Sequence, residues 1–133
     1  MSRLLNRENA LKVIYIDLVR DDLEVDMILN DFNFISSVSD FIEPLTLDDE
    51  MTAVIKRASE RKDIYALALE QYLNNWRFNR LGFMEQALLI LACAELEIGL
   101  QDKVVVVNEA VRMAKIYADD DSYRLVNGVL DAL

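Results

Sequence analysis

Apolar residues recur every three or four positions along most of this chain, the spacing of a buried helix face. Leu4, Leu11, Ile14, Tyr15 and Leu18 place a first helix over about 4–19. Val25, Ile28, Leu29 and Phe32 place a second over about 23–34, after the Asp21-Asp22 break. Ser36-Ser37-Val38-Ser39-Asp40 has the composition of a turn, and Pro44 punctuates the next segment. A long helical region starts near Leu47, with Asp48, Asp49 and Glu50 in its first turn, where negative charge suits the helix dipole. It extends toward Trp76, with a break expected around Arg61-Lys62-Asp63. Ile55, Ala58, Ile64, Leu67, Leu73 and Trp76 are its expected core contacts.

Gly82 ends the loop after Trp76. The helix over about 84–98 is apolar nearly all round through Ala94, the mark of a central helix covered on every side. Gly99 stands where a left-handed cap is expected. Two short amphipathic helices close the chain, over about 105–117 and 121–133. Val107, Ala110, Val111 and Ala114 face inward from the first of them. Leu125, Val126, Val129, Leu130 and Leu133 do so from the second. Gly128 interrupts that last helix at a cost of about 1 kcal/mol relative to alanine. Close approach of another helix is the expected compensation.

Length bounds the rest. A chain of 133 residues with 53% apolar content makes one domain with a well-buried core. Three glycines and one proline are little turn material for a sheet protein, so the class is all-α. The longest apolar run, Ala87 to Ala94, is too short to cross a bilayer. The N-terminus lacks the apolar run of a signal peptide. The single cysteine, Cys93, permits no intrachain disulfide, which fits a reducing cytoplasm, and its apolar setting marks it as a small core residue.

Charge changes the picture by its distribution. Residues 21–50 hold ten acidic and no basic residues, an excess as large as the whole chain's net charge of −10. The acidity therefore describes one flank, either a solvated face or a docking face for a basic partner. The densest basic patch, Lys56, Arg57, Arg61 and Lys62, lacks interleaved aromatics and is expected to be a solvated face.

Catalytic chemistry is sparse. Histidine is missing from the composition, which removes Ser-His and Cys-His catalysis and the common zinc sites. Glu95 and Glu97 are two apart, so on a helix they diverge and form no acid pair. Asp119-Asp120-Asp121 before a helix is a dipole complement rather than a cation cage. No glycine-rich phosphate loop occurs. These features point to a binding module without cofactors.

Three ordered blocks give the module a family. The first is Arg7-Glu8-x-Ala10-Leu11-x-x-Ile14-Tyr15. The second runs from Trp76 through Arg80-Leu81 to Glu85, Ala87, Leu91 and Ala94-Glu95-Leu96. The third is Val107-Asn108-Glu109-Ala110-Val111, Ala114-Lys115, Asp120-Asp121-Ser122 and Val126-Asn127-Gly128-Val129-Leu130-Asp131. In order and separation they resemble the NusB family of bacterial transcription antitermination factors.

The resemblance implies an all-α NusB-like fold, two small helical bundles around a long central helix. Residues 1–133 would form a single NusB-like domain, with an N-terminal bundle over about 1–75 and a C-terminal one over about 76–133. It implies no enzymatic activity. It implies a cytoplasmic protein that pairs with a small-subunit ribosomal protein, NusE. The pair would bind boxA, a short single-stranded RNA element in nascent ribosomal RNA transcripts, and help RNA polymerase read through terminators. Family members occur as monomers and homodimers.

Carried over residue by residue, the resemblance implies RNA contacts at Arg3, Arg7, Tyr72, Asp121 and Ser122. It implies ribosomal-protein contacts at Tyr15 and Glu85. Position alone offers a second role for several of these: core packing for Tyr15, a first-turn dipole partner for Glu85, solvated charge for Arg3 and Arg7, a helix cap for Asp121. The chain also departs from the family. Leu4 and Leu5 interrupt the usual arginine-rich start, and Gln86 and Ile90 stand where basic residues are common. Fewer phosphate contacts weaken RNA affinity and flatten its salt dependence. A divergent NusB-like module that docks a protein and has lost RNA affinity is the rival reading. A NusB-like half of an RNA methyltransferase is disfavoured, because no cofactor loop is present.

Overall fold

The computed structural model describes residues 3–38, 47–74 and 76–133, apart from the side chains of residues 3–5 and 36. The described residues contain six α-helices and no strand: α1 (Arg3–Val19), α2 (Val25–Val38), α3 (Asp49–Glu70), α4 (Phe83–Ile98), α5 (Lys103–Tyr117) and α6 (Ser122–Ala132). A single 3₁₀ turn, Phe78–Arg80, lies between α3 and α4.

Helix α4 is the centre. Residues Gln86 to Ala92, Ala94 and Glu95 are all buried, because α1, α3, α5 and α6 all pack against it. Gly82 precedes it, and the Glu85 carboxylate accepts from the Gly82 N–H at 3.0 Å, satisfying one orphan donor of the helix start. Gly99 closes it at φ 79°, a left-handed turn that a side chain would strain.

Helices α1 and α3 pack on α4 and on each other, α2 packs against α1 and α3, and α5 and α6 pair with each other and with α4. Helix α3 starts on a reciprocal lock. Asp48 accepts from the Met51 N–H at 2.8 Å, while the Asn6 amide donates to the Asp48 carboxylate at 2.9 Å and accepts from its N–H at 3.0 Å. The polar start of α3 is thereby fixed to α1. Arg112 of α5 reaches Glu8 of α1 at 3.1 Å and Glu109 at 2.6 Å, tying the two groups of helices together. The Lys103 ammonium donates to the Asp131 and Leu133 carbonyls at 3.2 and 2.6 Å, covering the C-terminal end of α6.

Several expectations need correction. Helix α2 continues through Val38 where the composition predicts a turn; the Ser37 hydroxyl donates back to the Phe34 carbonyl at 2.7 Å. Residues 39 and 40 lie outside the described residues. Helix α3 is unbroken at Arg61-Lys62-Asp63, because Arg61 pairs with Glu97 at 2.9 Å and Lys62 with Asp17 at 3.2 Å.

The core face of α3 is Met51, Val54, Ile55, Ala58, Tyr65 and Leu69. Ile64 and Leu67 fall off that face, 52% and 73% exposed. Trp76 is 61% exposed, because α3 stops at Glu70 and the chain turns before reaching it. Leu133 is 40% exposed. Gly128 faces open space, with nothing within 4 Å of an added Cβ, so no close helix approach offsets its cost.

Candidate functional site

The residues implied as contacts fall at different depths. Arg7 is 1% exposed and is no surface contact. Its Nε donates to the Glu95 carboxylate of α4 at 2.9 and 3.2 Å, inside the core, and its Nη2 is buried without a hydrogen-bond partner. The expectation that Arg7 meets RNA is therefore corrected: an arginine this deep, with a carboxylate opposite, serves packing. Arg3 lies in the first turn of α1, and its side chain is outside the described residues.

Tyr15 is half-buried and meets Phe83 edge to face, ring centroids 6.5 Å apart at 82°. It lines an apolar groove of about 210 Å³ with Leu11, Ile16, Phe32, Met84 and Tyr117; Glu8 and Lys12 also border it. Burial, then the Glu8 charge, raise the Tyr117 hydroxyl pKa, so it stays a neutral donor there. An apolar groove with an aromatic wall and a few polar groups suits a protein surface.

Glu85 caps α4 and also lines a depression of about 590 Å³ with Asp119, Asp120, Asp121 and Ser122. Four carboxylates make this a negative surface, which attracts basic groups and repels phosphate. Asp121 is exposed and makes no side-chain cap to α6, so the capping alternative is not realised. Ser122 is 5% exposed. Tyr72 is half-buried in the turn after α3.

Next to the acidic turn stands a cluster that the pattern of residues does not announce. The Tyr123 ring carries the Lys115 ammonium 4.9 Å from its centroid and the Arg124 guanidinium at 5.7 Å. Arg124 Nε donates to the Tyr123 hydroxyl at 3.2 Å, which raises the arginine pKa further. The only signal in the sequence is Lys115 eight positions before a Tyr-Arg pair, across a helix turn.

The basic patch on α3 is engaged rather than simply solvated. Lys56 faces Asp26 at 3.9 Å, Arg57 and Arg61 bracket Glu97 at 3.2 and 2.9 Å, and Lys62 lies between Asp17 at 3.2 Å and Asp21 at 3.7 Å. These pairs link α3 to its neighbours, while Lys56 and Arg57 remain solvent-exposed. Cys93 is pushed up to about 12 by burial and then by the Glu97 charge, consistent with an inert core thiol. Among the described residues no group of three or more His, Cys, Asp or Glu side chains is placed to hold a metal ion. No helix among them is long and apolar enough to cross a membrane.

Comparison with known proteins decides the family. The NusB family model matches residues 5–133. The chain belongs to the NusB family. Its curated relatives bear the name transcription antitermination protein NusB. The NusB transcription antitermination protein of Staphylococcus carnosus is 32% identical over 100% of this chain and 99% of its own length. That of Wolinella succinogenes is 45% identical over 65 residues, 49% of this chain and 48% of the relative. For four curated relatives of this kind the chain spans about half their length, between 43% and 57%.

Among solved structures, T. maritima NusB superposes with a TM-score of 0.78 and 26% identity over 99% of this chain and 89% of that one. NusB in a complex of antitermination factors NusB and NusE with double-stranded RNA also gives a TM-score of 0.78, at 22% identity over 98% and 93%. The second likeness speaks to the fold alone. The all-α NusB-like architecture thus agrees with the sequence expectation.

Proposed function

We propose that this chain is a non-enzymatic transcription antitermination factor that joins NusE to boxA-type single-stranded RNA in nascent ribosomal RNA transcripts. The observation that carries the proposal is the family match over residues 5–133 together with the shared fold. In this reading the chain acts in the cytoplasm as a single domain and enters a complex with RNA polymerase. The apolar groove at Tyr15 and the carboxylate of Glu85 receive the basic ribosomal protein, on grounds of shape and charge. Arg3, Tyr72, Asp121 and Ser122 remain the RNA contacts carried over from the family. The Lys115–Tyr123–Arg124 cluster supplies positive charge beside an aromatic ring, as single-stranded RNA requires. The crystallised complex of a NusB with NusE and double-stranded RNA supports the pairing with NusE.

The test is reconstituted transcription across a terminator downstream of boxA. Adding this chain with NusE is expected to raise read-through, and removing either protein or mutating boxA to abolish the gain. Unchanged read-through in the complete system contradicts the proposal.

A second reading keeps the protein partner and drops the RNA. Burial of Arg7 and the four carboxylates around Ser122 favour it, since both reduce phosphate attraction.

A further inference from the structure

The turn between α3 and α4 exposes chemistry to which no contact role has been carried over. Trp76 is 61% exposed, a large apolar ring held out in water. The backbone beneath it is fixed: the Trp76 main-chain N–H donates to the Leu73 carbonyl at 3.0 Å. Phe78 two residues on is 6% exposed and anchors the turn in the core. Arg80 N and Leu81 N close the 3₁₀ turn on the Arg77 and Phe78 carbonyls at 3.0 and 3.1 Å. With Phe78 inside, the turn leaves Trp76, Arg77 and Arg80 in solvent.

The two arginines differ from the cations of α3. Lys56, Arg57, Arg61 and Lys62 all have carboxylate partners. Arg77 and Arg80 have neither an ion pair nor a side-chain hydrogen bond among the described residues. A guanidinium without a partner retains its full capacity for phosphate. Trp76 and Arg77 also border a depression of about 600 Å³ with Glu70, Gln71 and Asn74. Asn74 sits at φ 47°, in the left-handed region that asparagine tolerates, and turns the chain there. Asn74 borders this space, and its side-chain amide makes no hydrogen bond among the described residues, which leaves a donor and an acceptor available. Glu70 also lines the depression and repels phosphate from it, so the base side of a nucleotide suits it better.

We propose that Trp76, Asn74, Arg77 and Arg80 form a subsite for single-stranded RNA, with one base stacked on the indole and its flanking phosphates on the two arginines. This rests on the reading that the chain binds RNA. An aromatic platform, a free amide and unpaired guanidinium groups are the elements by which single strands are held. The polar lining separates this place from the apolar groove at Tyr15, which has the character of a protein contact.

Trp76 is the only tryptophan in the chain, so its emission reports on this turn alone. The full chain, preassembled with NusE, is titrated with a fluorescein-labelled single-stranded boxA RNA. Anisotropy of the label reads binding, and tryptophan emission, corrected for NusE alone, reads the subsite. Quenching of Trp76 with the same midpoint as the anisotropy change is expected. Trp76→Ala should weaken RNA binding about tenfold or more, and Trp76→Phe should restore part of it. Arg77→Gln and Arg80→Gln should each flatten the slope of log affinity against log salt by about 0.7. RNA binding without quenching, with Trp76→Ala inside twofold of the parent, overturns the subsite and leaves the RNA reading standing. Quenching by NusE alone and not by RNA assigns the turn to protein contact and overturns it too. No anisotropy change at all removes the RNA reading, and the subsite with it.

Discussion

Arg7 of α1 and Glu95 of α4 form an ion pair sealed from solvent, 2.9 Å from Nε to Oε1, with side chains 1% and 2% exposed. The pair joins two helices 88 residues apart in sequence. Its worth lies in mutual compensation, since either charge alone in that setting is strongly unfavourable. Arg7→Met alone or Glu95→Gln alone is expected to lower unfolding free energy by about 3–5 kcal/mol. The double change Arg7→Met with Glu95→Leu should recover most of that loss. Urea unfolding followed by circular dichroism measures all three, and additive losses in the double variant would contradict a compensated pair.

Tyr15 offers a test of the protein-facing groove. Tyr15→Ala removes an aromatic wall that packs on Phe83. Titration calorimetry with NusE is expected to show affinity falling tenfold or more, about 1.4 kcal/mol. RNA binding by the chain alone should change little. Equal NusE affinity in the variant would move the docking surface elsewhere.

Gly128 and Gly99 predict opposite outcomes. Gly128→Ala places a methyl in open space on α6 and should stabilise the fold by up to about 1 kcal/mol. Gly99→Ala forces a side chain into φ 79° and should destabilise it by about 1 kcal/mol. Thermal melts separate the two. A Gly128→Ala variant that folds well and loses NusE or RNA binding would show that a partner, rather than this chain, approaches the glycine.

Alkaline pH should erode stability. Cys93 and Tyr65 are both pushed up to about 12, each by burial first and by the Glu97 charge second. Unfolded, they ionise near their ordinary values of 9.0 and 10.0. The unfolded chain therefore releases protons first, and stability falls as pH rises from about 9 to 12, being undiminished below 9. Urea midpoints across pH 7 to 11 check the slope. A thiol reagent at pH 8 should modify Cys93 of the native chain far more slowly than in urea; equal rates would contradict a half-buried, neutral thiol.

Legibility in the sequence follows the range of the forces involved. The unbroken run Ala87 to Ala94 discloses the central helix, because a helix apolar on every side has only one place to go. Gly99 discloses its own cap. The phase of α3 is ambiguous: Ile64 and Leu67 are apolar and helically spaced with their neighbours, yet Tyr65 and Leu69 continue the buried series begun by Met51. Where α3 ends decides whether Trp76 is core or surface, and no local residue announces that end. Arg7 reads as a surface charge because its partner lies on another helix. The engagement of Lys56, Arg57, Arg61 and Lys62 is hidden for the same reason, with carboxylates supplied by α1, α2, α4 and the α1–α2 turn.

The most direct measurement is the affinity of labelled boxA RNA for this chain at low and at physiological salt, each with and without NusE. An adaptor that joins the two partners predicts RNA binding that NusE tightens and that weakens steeply as salt rises. RNA affinity that NusE leaves unchanged, or no binding at low salt in either condition, would contradict it.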